Sequence, residues 1–243
     1  MKKTLFVASD IHGYYTELMK ALKQAGFDSE NENHVFVSCG DLFDRGSENA
    51  KVYSFVKGLK RKILIKGNHE DMLAQILKKG IITETDVANG TDMTVAEFFG
   101  EDSIEAYGNF HKTEHTEKVC EIMNFLDSML NYYETERYVF THGWLPIVFE
   151  GRYPTINPSW RTVSDEEWEE EVHLLEWHQL YEVKALLAGK TIVCGHRPAR
   201  LGHMFDCFRE PDCSEPFYGE GMIAIDAGTV RSERVNVLVI EES

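Results

Sequence analysis

Positive charge is scarce in this sequence. Its 25 lysines and arginines are outnumbered by 41 aspartates and glutamates, which gives a formal net charge of −16. A surface with that excess of negative charge repels nucleic-acid backbones and anionic lipid, so we expect neither a nucleic acid nor a membrane as a partner. A small phosphorylated ligand is compatible with this charge, because bound divalent cations reverse the sign of the local field.

Paired cysteines and long apolar runs are also lacking. The 243 residues contain five scattered cysteines without a CxxC pair, so we expect free thiols in a reducing compartment and no zinc knuckle. The apolar stretch at 5–8 ends at Ser9, shorter than the roughly 7–15 residues of a signal-peptide core. No stretch approaches the ~20 apolar residues of a membrane span. These absences predict a soluble, cytoplasmic protein.

What the sequence does contain is an alternation of short apolar runs and amphipathic segments. Seven runs rich in β-branched and aromatic residues predict buried strands, at 4–8, 34–38, 62–66, 137–141, 191–194, 222–225 and 235–240. Apolar residues at helical spacing predict helices over 15–25, 48–59, 68–79 and 119–130. Strands that alternate with helices indicate an α/β fold with a parallel or mixed sheet.

The length and the order of these segments predict a single domain over residues 1–243, with a helical insertion at about 80–131. The segment 151–158 contains two of the six prolines, so we expect a loop there. The acidic run 165–171 is typical of the solvent-exposed face of a helix.

Polar residues beside glycine follow five of the predicted strands. The sequence reads DIHG after the first strand, GDLFDRG after the second, GNHE after the third, HG after 137–141 and GH after 191–194. In open α/β sheets, ligands bind at the carboxyl ends of the strands, and glycines allow tight turns there. The pattern predicts that these five segments share one site.

Aspartate, asparagine and histidine without a thiolate are typical ligands of Mn²⁺, Fe²⁺ or Zn²⁺. Two such ions about 3.5–4 Å apart activate water and stabilise an in-line phosphoryl displacement. The departing oxygen needs an acid on the opposite side, and His69 lies in a turn beside the ligand candidate Asn68. The set therefore predicts a binuclear-metal phosphoesterase.

The ordered set DxHG, GDxxDRG, GNHE, HG and GH resembles that of phosphoprotein-phosphatase-type, calcineurin-like metallophosphoesterases, in particular their bacterial serine/threonine phosphatase branch. It spans the chain from Asp10 to His196. The resemblance implies a sandwich of two mixed β-sheets flanked by helices. It also implies two divalent ions, Mn²⁺ first with Fe or Zn as alternatives, and attack of a metal-bound hydroxide on a phosphomonoester.

The resemblance also assigns roles to individual residues. It implies six metal ligands shared between two ions: Asp10, His12, Asp41, Asn68, His142 and His196. Asp41 would bridge the two ions.

The remaining motif residues take catalytic and substrate-binding roles by the same resemblance. His69 would be the general acid, with its ring oriented by Asp44. Arg45 would grip the substrate phosphate by a bidentate contact, and Asn68 would also contact the phosphoryl oxygens. Shorter matches extend the set: 89–94 is similar to an NGG-x-x-T segment of bacterial members, and 225–228 to their IDTG segment.

One expected residue is missing. Such phosphatases place a second phosphate-binding arginine close to a tryptophan, and no arginine flanks Trp177. Arg161, beside Trp160, is the candidate that we nominate, with Arg197 and Arg200 as alternatives. This departure affects the choice of substrate more than the reaction.

Three functions follow in order of preference. The first is hydrolysis of phosphoserine or phosphothreonine in proteins, because Pro198 replaces the last histidine of the GHxH motif of phosphodiesterases. The alternative is a dinucleoside polyphosphate, such as diadenosine tetraphosphate, or another small phosphorylated metabolite. A non-catalytic scaffold is disfavoured because the motif set is complete, and the zinc-protease-like HxxEH at 111–115 is interpreted as solvated helix.

Overall fold

The computed structural model describes residues 2–100, 110, 115–151, 153–171, 187, 189–207 and 213–242. The strands are β1 (Lys3–Ala8), β2 (His34–Cys39), β3 (Lys62–Ile65), β4 (Tyr132–Glu134), β5 (Tyr138–Thr141), β6 (Ile147–Glu150), β7 (Tyr153–Ile156), β8 (Thr191–Cys194), β9 (Phe217–Gly219), β10 (Met222–Ala224) and β11 (Leu238–Glu242). The helices are α1 (Tyr15–Ala25), α2 (Asn49–Gly58), α3 (Asn68–Lys79), α4 (Glu84–Asn89), α5 (Thr91–Phe99), α6 (Thr116–Asp127), α7 (Asp165–Glu171), α8 (Ala199–Cys207) and α9 (Thr229–Ser232), with a 3₁₀ turn at Trp160–Thr162.

One sheet has four strands in the order β11-β1-β2-β3. β1, β2 and β3 are parallel, and β11 joins the edge antiparallel to β1. Successive residues of β1 enter different parts of the core: Leu5 and Val7 lie in one apolar cluster, Phe6 and Ala8 in another. Both faces of this sheet are therefore covered, as is usual for strands joined by helices.

The second sheet has five strands in the order β4-β5-β8-β10-β9. Its three central strands are parallel, and β4 and β9 close the edges in antiparallel pairing. Leu5 and Val37 of the first sheet share a buried cluster with Phe140 and Val193 of the second. The two mixed sheets therefore pack face to face, and helices flank them. This arrangement confirms the predicted α/β sandwich.

The predicted elements agree with the structure except at a few ends and in one loop. The helix predicted at 119–130 begins at Thr116, and the last strand begins at Leu238. The loop predicted at 151–158 is wrong, because β7 lies there and pairs with β6. Pro154 is tolerated because β6 and β7 form a two-stranded ladder, so each strand has an unpaired edge on which a missing N–H breaks no ladder hydrogen bond.

The segment 80–131 contains α4, α5 and α6 among its described residues, and the division into a single domain stays a prediction. Among the helices of the described residues, none has both the length and the apolar character that a membrane crossing requires.

Phe36 tests the packing of the first sheet against its helices. Its side chain is fully buried, and its ring lies 5.8 Å from that of Phe55. We expect Phe36→Ala to lower the free energy of unfolding by about 3–5 kcal/mol in urea titrations, because it leaves a cavity. Phe149→Ala is the matched control, since Phe149 is 60% exposed. Similar losses in both variants would contradict this packing.

Candidate active site

Turns at the ends of the strands bring the motif residues together. The backbone N–H of Asp10 donates to the Gly40 carbonyl at 3.0 Å. The N–H of His196 donates to both carboxylate oxygens of Asp10, at 2.9 and 3.1 Å, across 186 residues of sequence. The first, second and last motifs therefore meet at one edge of the sandwich, at the carboxyl ends of the parallel strands.

The backbone of these turns is strained. Among the described residues, positive φ angles occur at seven that are not glycine, and six of these, with φ between 48° and 75°, are Asp10, His12, Asp41, Asp44, Arg45 and His196. Such conformations cost of order 1–3 kcal/mol each and persist where the surrounding structure imposes them, which is often at functional sites. All six belong to the motifs at the strand ends.

Glycines let the backbone approach the carboxylates closely. A Cβ atom at Gly67 would lie 2.2 Å from Oδ1 of Asp41, and one at Gly195 would lie 2.1 Å from Oδ2 of Asp10. No side chain fits at these distances. The glycines of the GNHE and GH motifs are therefore required by space as well as by turn geometry.

Asp41 lies at the centre of a buried cluster of imidazoles. Its Oδ2 is 3.7 Å from Nε2 of His12 and 3.9 Å from Nε2 of His69, and its Oδ1 is 3.4 Å from Nε2 of His142. Two groups of ligand atoms form around it, within 4.8 Å of one another: Asp41 with His12 and His69, and Asp41 with His142 and His196. One carboxylate is thus shared by two adjacent sets of ligand atoms.

Hydrogen bonds to carbonyls fix the orientation of two of these imidazoles. Nδ1 of His12 lies 3.0 Å from the Phe43 carbonyl, and Nδ1 of His142 lies 2.8 Å from the Cys39 carbonyl. A carbonyl only accepts, so each Nδ1 carries the proton. Nε2 then faces the cluster, as is common for histidines that bind metals.

The surroundings of His142 fit a cation. Its Nε2 lies 3.1 Å from Oδ1 of Asn68 and 3.1 Å from Nδ1 of His196, in addition to Oδ1 of Asp41. A single N–H cannot donate to three acceptors, whereas one divalent ion accepts lone pairs from all of these atoms. Nitrogen and oxygen ligands without thiolate suit Mn²⁺, Fe²⁺ or Zn²⁺.

The electrostatics of the cluster depend on this mixture of acids and imidazoles. Burial lowers the pKa of His12 to about 3, so its ring is neutral, as a metal ligand must be. Burial alone would lower the pKa of His142, but the carboxylates of Asp41 and Asp10 outweigh it and raise the pKa to about 10, so a cation that binds His142 would replace a proton. Burial also raises the pKa of Asp10 to about 6.

His69 and Asp44 form a buried pair. Nδ1 of His69 lies 2.7 Å from Oδ2 of Asp44, and Nε2 of His69 has no hydrogen-bond partner among the described residues. Burial acts to lower the pKa of His69, but the charges of Asp41 and Asp44 outweigh it and raise the pKa. The ring is thus oriented with Nδ1 at Asp44 and Nε2 directed at Asp41 of the cluster.

The hydroxyls that hold Asp44 come from α5. Those of Thr91 and Thr94 donate to its two carboxylate oxygens, both at 2.6 Å. Both threonines are in the segment 89–94, which is similar to a segment of bacterial family members. That similarity pointed to the segment but did not predict its contact with Asp44. A Cβ at Gly90 would lie 2.8 Å from the Arg45 backbone nitrogen, so α5 packs directly on the GDLFDRG turn.

Glu70 also holds the site together, a role that the sequence did not assign. Its carboxylate accepts from the backbone N–H groups of Asp41, Leu42 and Gly67, at 2.8–2.9 Å. Burial raises its pKa to about 7. The last letter of GNHE was the only signal for this role in the sequence.

The two nominated arginines lie in different surroundings. Arg45 is exposed, and its Nη1 lies 3.1 Å from Nε2 of His12, at the cluster itself. Arg161 forms two hydrogen bonds with Glu134, at 2.6 and 2.8 Å, and covers the ring of Trp160 at 4.2 Å. Its contacts are thus outside the cluster. Trp177 and residues 111–114 of the HxxEH motif lie outside the described residues.

Most of the chain is similar to a known protein family. The family model described as calcineurin-like phosphoesterase matches residues 3–223, and this family uses divalent metal ions in a binuclear centre. The symmetrical bis(5'-nucleosyl)-tetraphosphatase of Coxiella burnetii is 34% identical over 82 residues, which cover 34% of this chain and 27% of that protein. An asymmetrical bis(5'-nucleosyl)-tetraphosphatase of Bacillus subtilis is 34% identical over 100 residues, which cover 37% of this chain and 40% of that protein.

A third relative acts on proteins by its name. Serine/threonine-protein phosphatase 1 of Salmonella typhimurium is 35% identical over 68 residues, which cover 28% of this chain and 30% of that protein. The matched segments thus span less than half the length of each of these relatives.

Solved structures share the fold over nearly the whole chain. A protein provisionally described as a diadenosine tetraphosphatase superposes with a TM-score of 0.55 and 16% identity, covering 99% of this chain and 93% of that one. A cold-active protein-tyrosine phosphatase of a Shewanella species gives a TM-score of 0.54 and 16% identity, with coverage of 98% and 77%.

Gly67 offers a test of how the backbone supports the cluster. We expect Gly67→Ala to weaken Mn²⁺ binding at least about tenfold in calorimetric titrations, because its Cβ would displace Asp41. Gly58→Ala is the matched control, since a Cβ at Gly58 meets nothing within 4 Å. Unchanged Mn²⁺ affinity in Gly67→Ala would exclude Asp41 as a ligand held by this contact.

Proposed function

The chain belongs to the calcineurin-like phosphoesterase family, and we propose that it hydrolyses a dinucleoside polyphosphate of the diadenosine tetraphosphate type. The observation that carries the reaction is the buried carboxylate of Asp41, which lies between His12 on one side and His142 with His196 on the other. The substrate class rests on the two bis(5'-nucleosyl)-tetraphosphatases among the relatives. In this substrate the bond that breaks is a phosphoanhydride.

Six residues would hold two divalent ions in this proposal, with Mn²⁺ as the first choice: Asp10, His12, Asp41, Asn68, His142 and His196. When bound, such ions neutralise the charge of the phosphoryl oxygens and make water a better nucleophile. Asp41 would contact both ions, because its two carboxylate oxygens face different imidazoles. The hydrogen bond from the His196 N–H to the Asp10 carboxylate holds the first and last motifs next to each other.

His69 would donate the proton to the departing oxygen. Asp44 accepts from its Nδ1–H, and the Thr91 and Thr94 hydroxyls hold Asp44 in place. This chain of contacts orients Nε2 toward the cluster, where a reacting phosphate would lie.

Arg45 would bind the phosphoryl oxygens. Arg45 is exposed, and its guanidinium contacts His12 of the cluster. A guanidinium can contact two phosphate oxygens at once. Asn68, which belongs to the GNHE motif, would contact the same phosphate. In an acidic chain these contacts matter, because the remaining surface repels a polyphosphate.

Hydrolysis of phosphoserine or phosphothreonine in proteins is the second candidate. It is favoured by the complete GDLFDRG and GNHE motifs and by the relationship to the Salmonella protein phosphatase. The same residues would act in the same roles, and only the groups that flank the phosphate would differ.

A comparison of substrates separates the two candidates. We expect the Mn²⁺-loaded protein to hydrolyse diadenosine tetraphosphate with a kcat/KM at least about tenfold above that for a phosphothreonine peptide, and EDTA to abolish both activities. Nucleotide products would be measured by anion-exchange chromatography and phosphate by a colorimetric assay. A preference for the peptide would overturn the first candidate in favour of the second.

The role of His69 is tested by the leaving group. We expect His69→Asn to lower kcat for phenyl phosphate by about 10²-fold or more, and for p-nitrophenyl phosphate much less, because nitrophenolate departs without a proton. His203→Asn is the control, since its ring contacts the Glu215 carbonyl and Phe217, outside the cluster. Equal losses on both esters would contradict the role of His69 as the acid.

A further inference from the structure

A cavity of about 780 Å³ is lined by residues that are all outside the cluster. This volume is in the range of roughly 300–1,000 Å³ that ligand pockets occupy. We call it the aromatic cavity, and it is lined by Lys66, Leu126, Asp127, Met129, Leu130, Asn131, Tyr132, Tyr133, Glu134, Trp160, Arg161, Val163, Asp165 and Trp168.

The chain connects the aromatic cavity directly to the proposed metal ligands. Lys66 is two residues before Asn68, so their Cα atoms are at most about 7 Å apart. On another wall, Tyr132 pairs with Thr141, the residue that precedes His142. Leu130 joins these walls, because its N–H donates to the Leu64 carbonyl and its carbonyl accepts from Lys66. The cavity walls are therefore close along the backbone to Asn68 and His142, a separation that a nucleotide can span.

Packed aromatic rings form one wall of the cavity. The Tyr132 ring lies 4.7 Å from that of Trp160 at 69°, and 5.3 Å from that of Trp168 at 20°. The guanidinium of Arg161 covers Trp160 and is held by Glu134. Tyr132 and Arg161 remain partly accessible, so the wall presents a fixed aromatic and guanidinium surface. Flat surfaces of this kind stack on nucleobases.

The charges that line the cavity disfavour a phosphate. Two cations, Lys66 and Arg161, are outnumbered by the three carboxylates Asp127, Glu134 and Asp165. Both cations are also paired with carboxylates, Lys66 with Asp71 and Arg161 with Glu134. A neutral group that donates hydrogen bonds suits this lining better than an anion does.

Polar groups for such a ligand are present at the rim. The amide of Asn131 donates to Oδ1 of Asp165 at 2.6 Å, and Asp165 is exposed. A carboxylate accepts several hydrogen bonds, so Asp165 can also receive an exocyclic amine. The amide of Asn131 offers an acceptor as well as donors. Among nucleobases, the aminopurines combine a large stacking face with an amine.

We propose that the aromatic cavity binds an aminopurine base of the substrate, adenine or guanine, while the attached phosphates lie at the cluster. This inference rests on the proposed phosphoesterase function and assigns Arg161 to the wall of a base subsite. The base stacks beside Tyr132 and the Arg161 guanidinium, and its exocyclic amine donates to a carboxylate of the rim.

Competitive inhibition tests this subsite without requiring a dinucleotide to be the substrate. The probes are AMP and ribose 5-phosphate, which carry the same phosphate and sugar and differ by the base, against Mn²⁺-dependent hydrolysis of p-nitrophenyl phosphate. We expect the Ki of AMP to be about tenfold below that of ribose 5-phosphate, because base stacking adds affinity. Equal Ki values would overturn the proposal.

Adding a charged side chain inside the cavity tests whether the base binds there. Leu130 lines the cavity and is 44% exposed, so Leu130→Glu adds a carboxylate there without opening the core. We expect the margin between the two inhibitors to fall below about threefold in Leu130→Glu, because a hydrated carboxylate replaces apolar surface against which the base packs. Ile81→Glu is the control, since Ile81 is 52% exposed and outside the cavity, and it should keep the full margin.

Different results would overturn the base subsite and the proposed substrate. A margin that persists in Leu130→Glu, or one that falls equally in Ile81→Glu, would overturn the base subsite. Absence of turnover of diadenosine tetraphosphate would overturn the proposed substrate. The inhibitor margin would still decide the subsite, because it is measured on p-nitrophenyl phosphate.

Discussion

The carboxylate of Asp41 is the group on which the rest of the site depends. It is buried at the end of β2, where its oxygens face the imidazoles of His12, His69 and His142. A buried charge is tolerated only with compensating partners. Its pKa shows this balance: burial acts to raise it, and the neighbouring imidazoles outweigh burial and hold it well below the usual value. The strained turns and the close glycine contacts hold this carboxylate in place. Glu70 contributes by accepting a hydrogen bond from the backbone N–H of Asp41.

Acidic groups remain in excess around Asp41. Burial raises the pKa of Glu70 to about 7 and that of Asp226 well above its usual value, and Asp10 shows the same effect. In each case the negative charge of a neighbouring aspartate adds to the effect of burial. A divalent cation relieves that repulsion, which is a further physical reason why these residues fit a metal centre. In an acidic protein, it would also attract the phosphorylated substrate that we propose to this one place.

The sequence predicted the parts of the fold that follow from local patterns. The parallel strands and the helices between them have strong apolar periodicity, and the motifs mark the ends of those strands. The small strands β4, β6, β7 and β9 were missed because three or four residues carry little periodicity and depend on their partners. Pro154 shows the same limit: its place in a strand depends on the pairing of β7 with β6, which the sequence pattern does not reveal.

For the site, residue types and spacing were sufficient to bring together Asp10, His12, Asp41, His142 and His196, because topology places all strand ends at one edge. The supporting contacts were harder to predict. Glu70 and the two threonines of α5 act through hydrogen bonds to backbone or to Asp44, and no chemical pattern distinguishes them. Arg161 shows the opposite case. Its position beside Trp160 in the sequence suggested a phosphate-binding residue, but its side chain contacts Glu134 and Trp160 instead of the cluster.

Metal content per chain tests the central role of Asp41 most directly. After loading with Mn²⁺ and gel filtration, elemental analysis should find two ions per wild-type chain and no more than one in Asp41→Asn, because both sets of ligand atoms share this carboxylate. Asp28→Asn, at an exposed position, should keep two. Two tightly bound ions in folded Asp41→Asn would contradict the account.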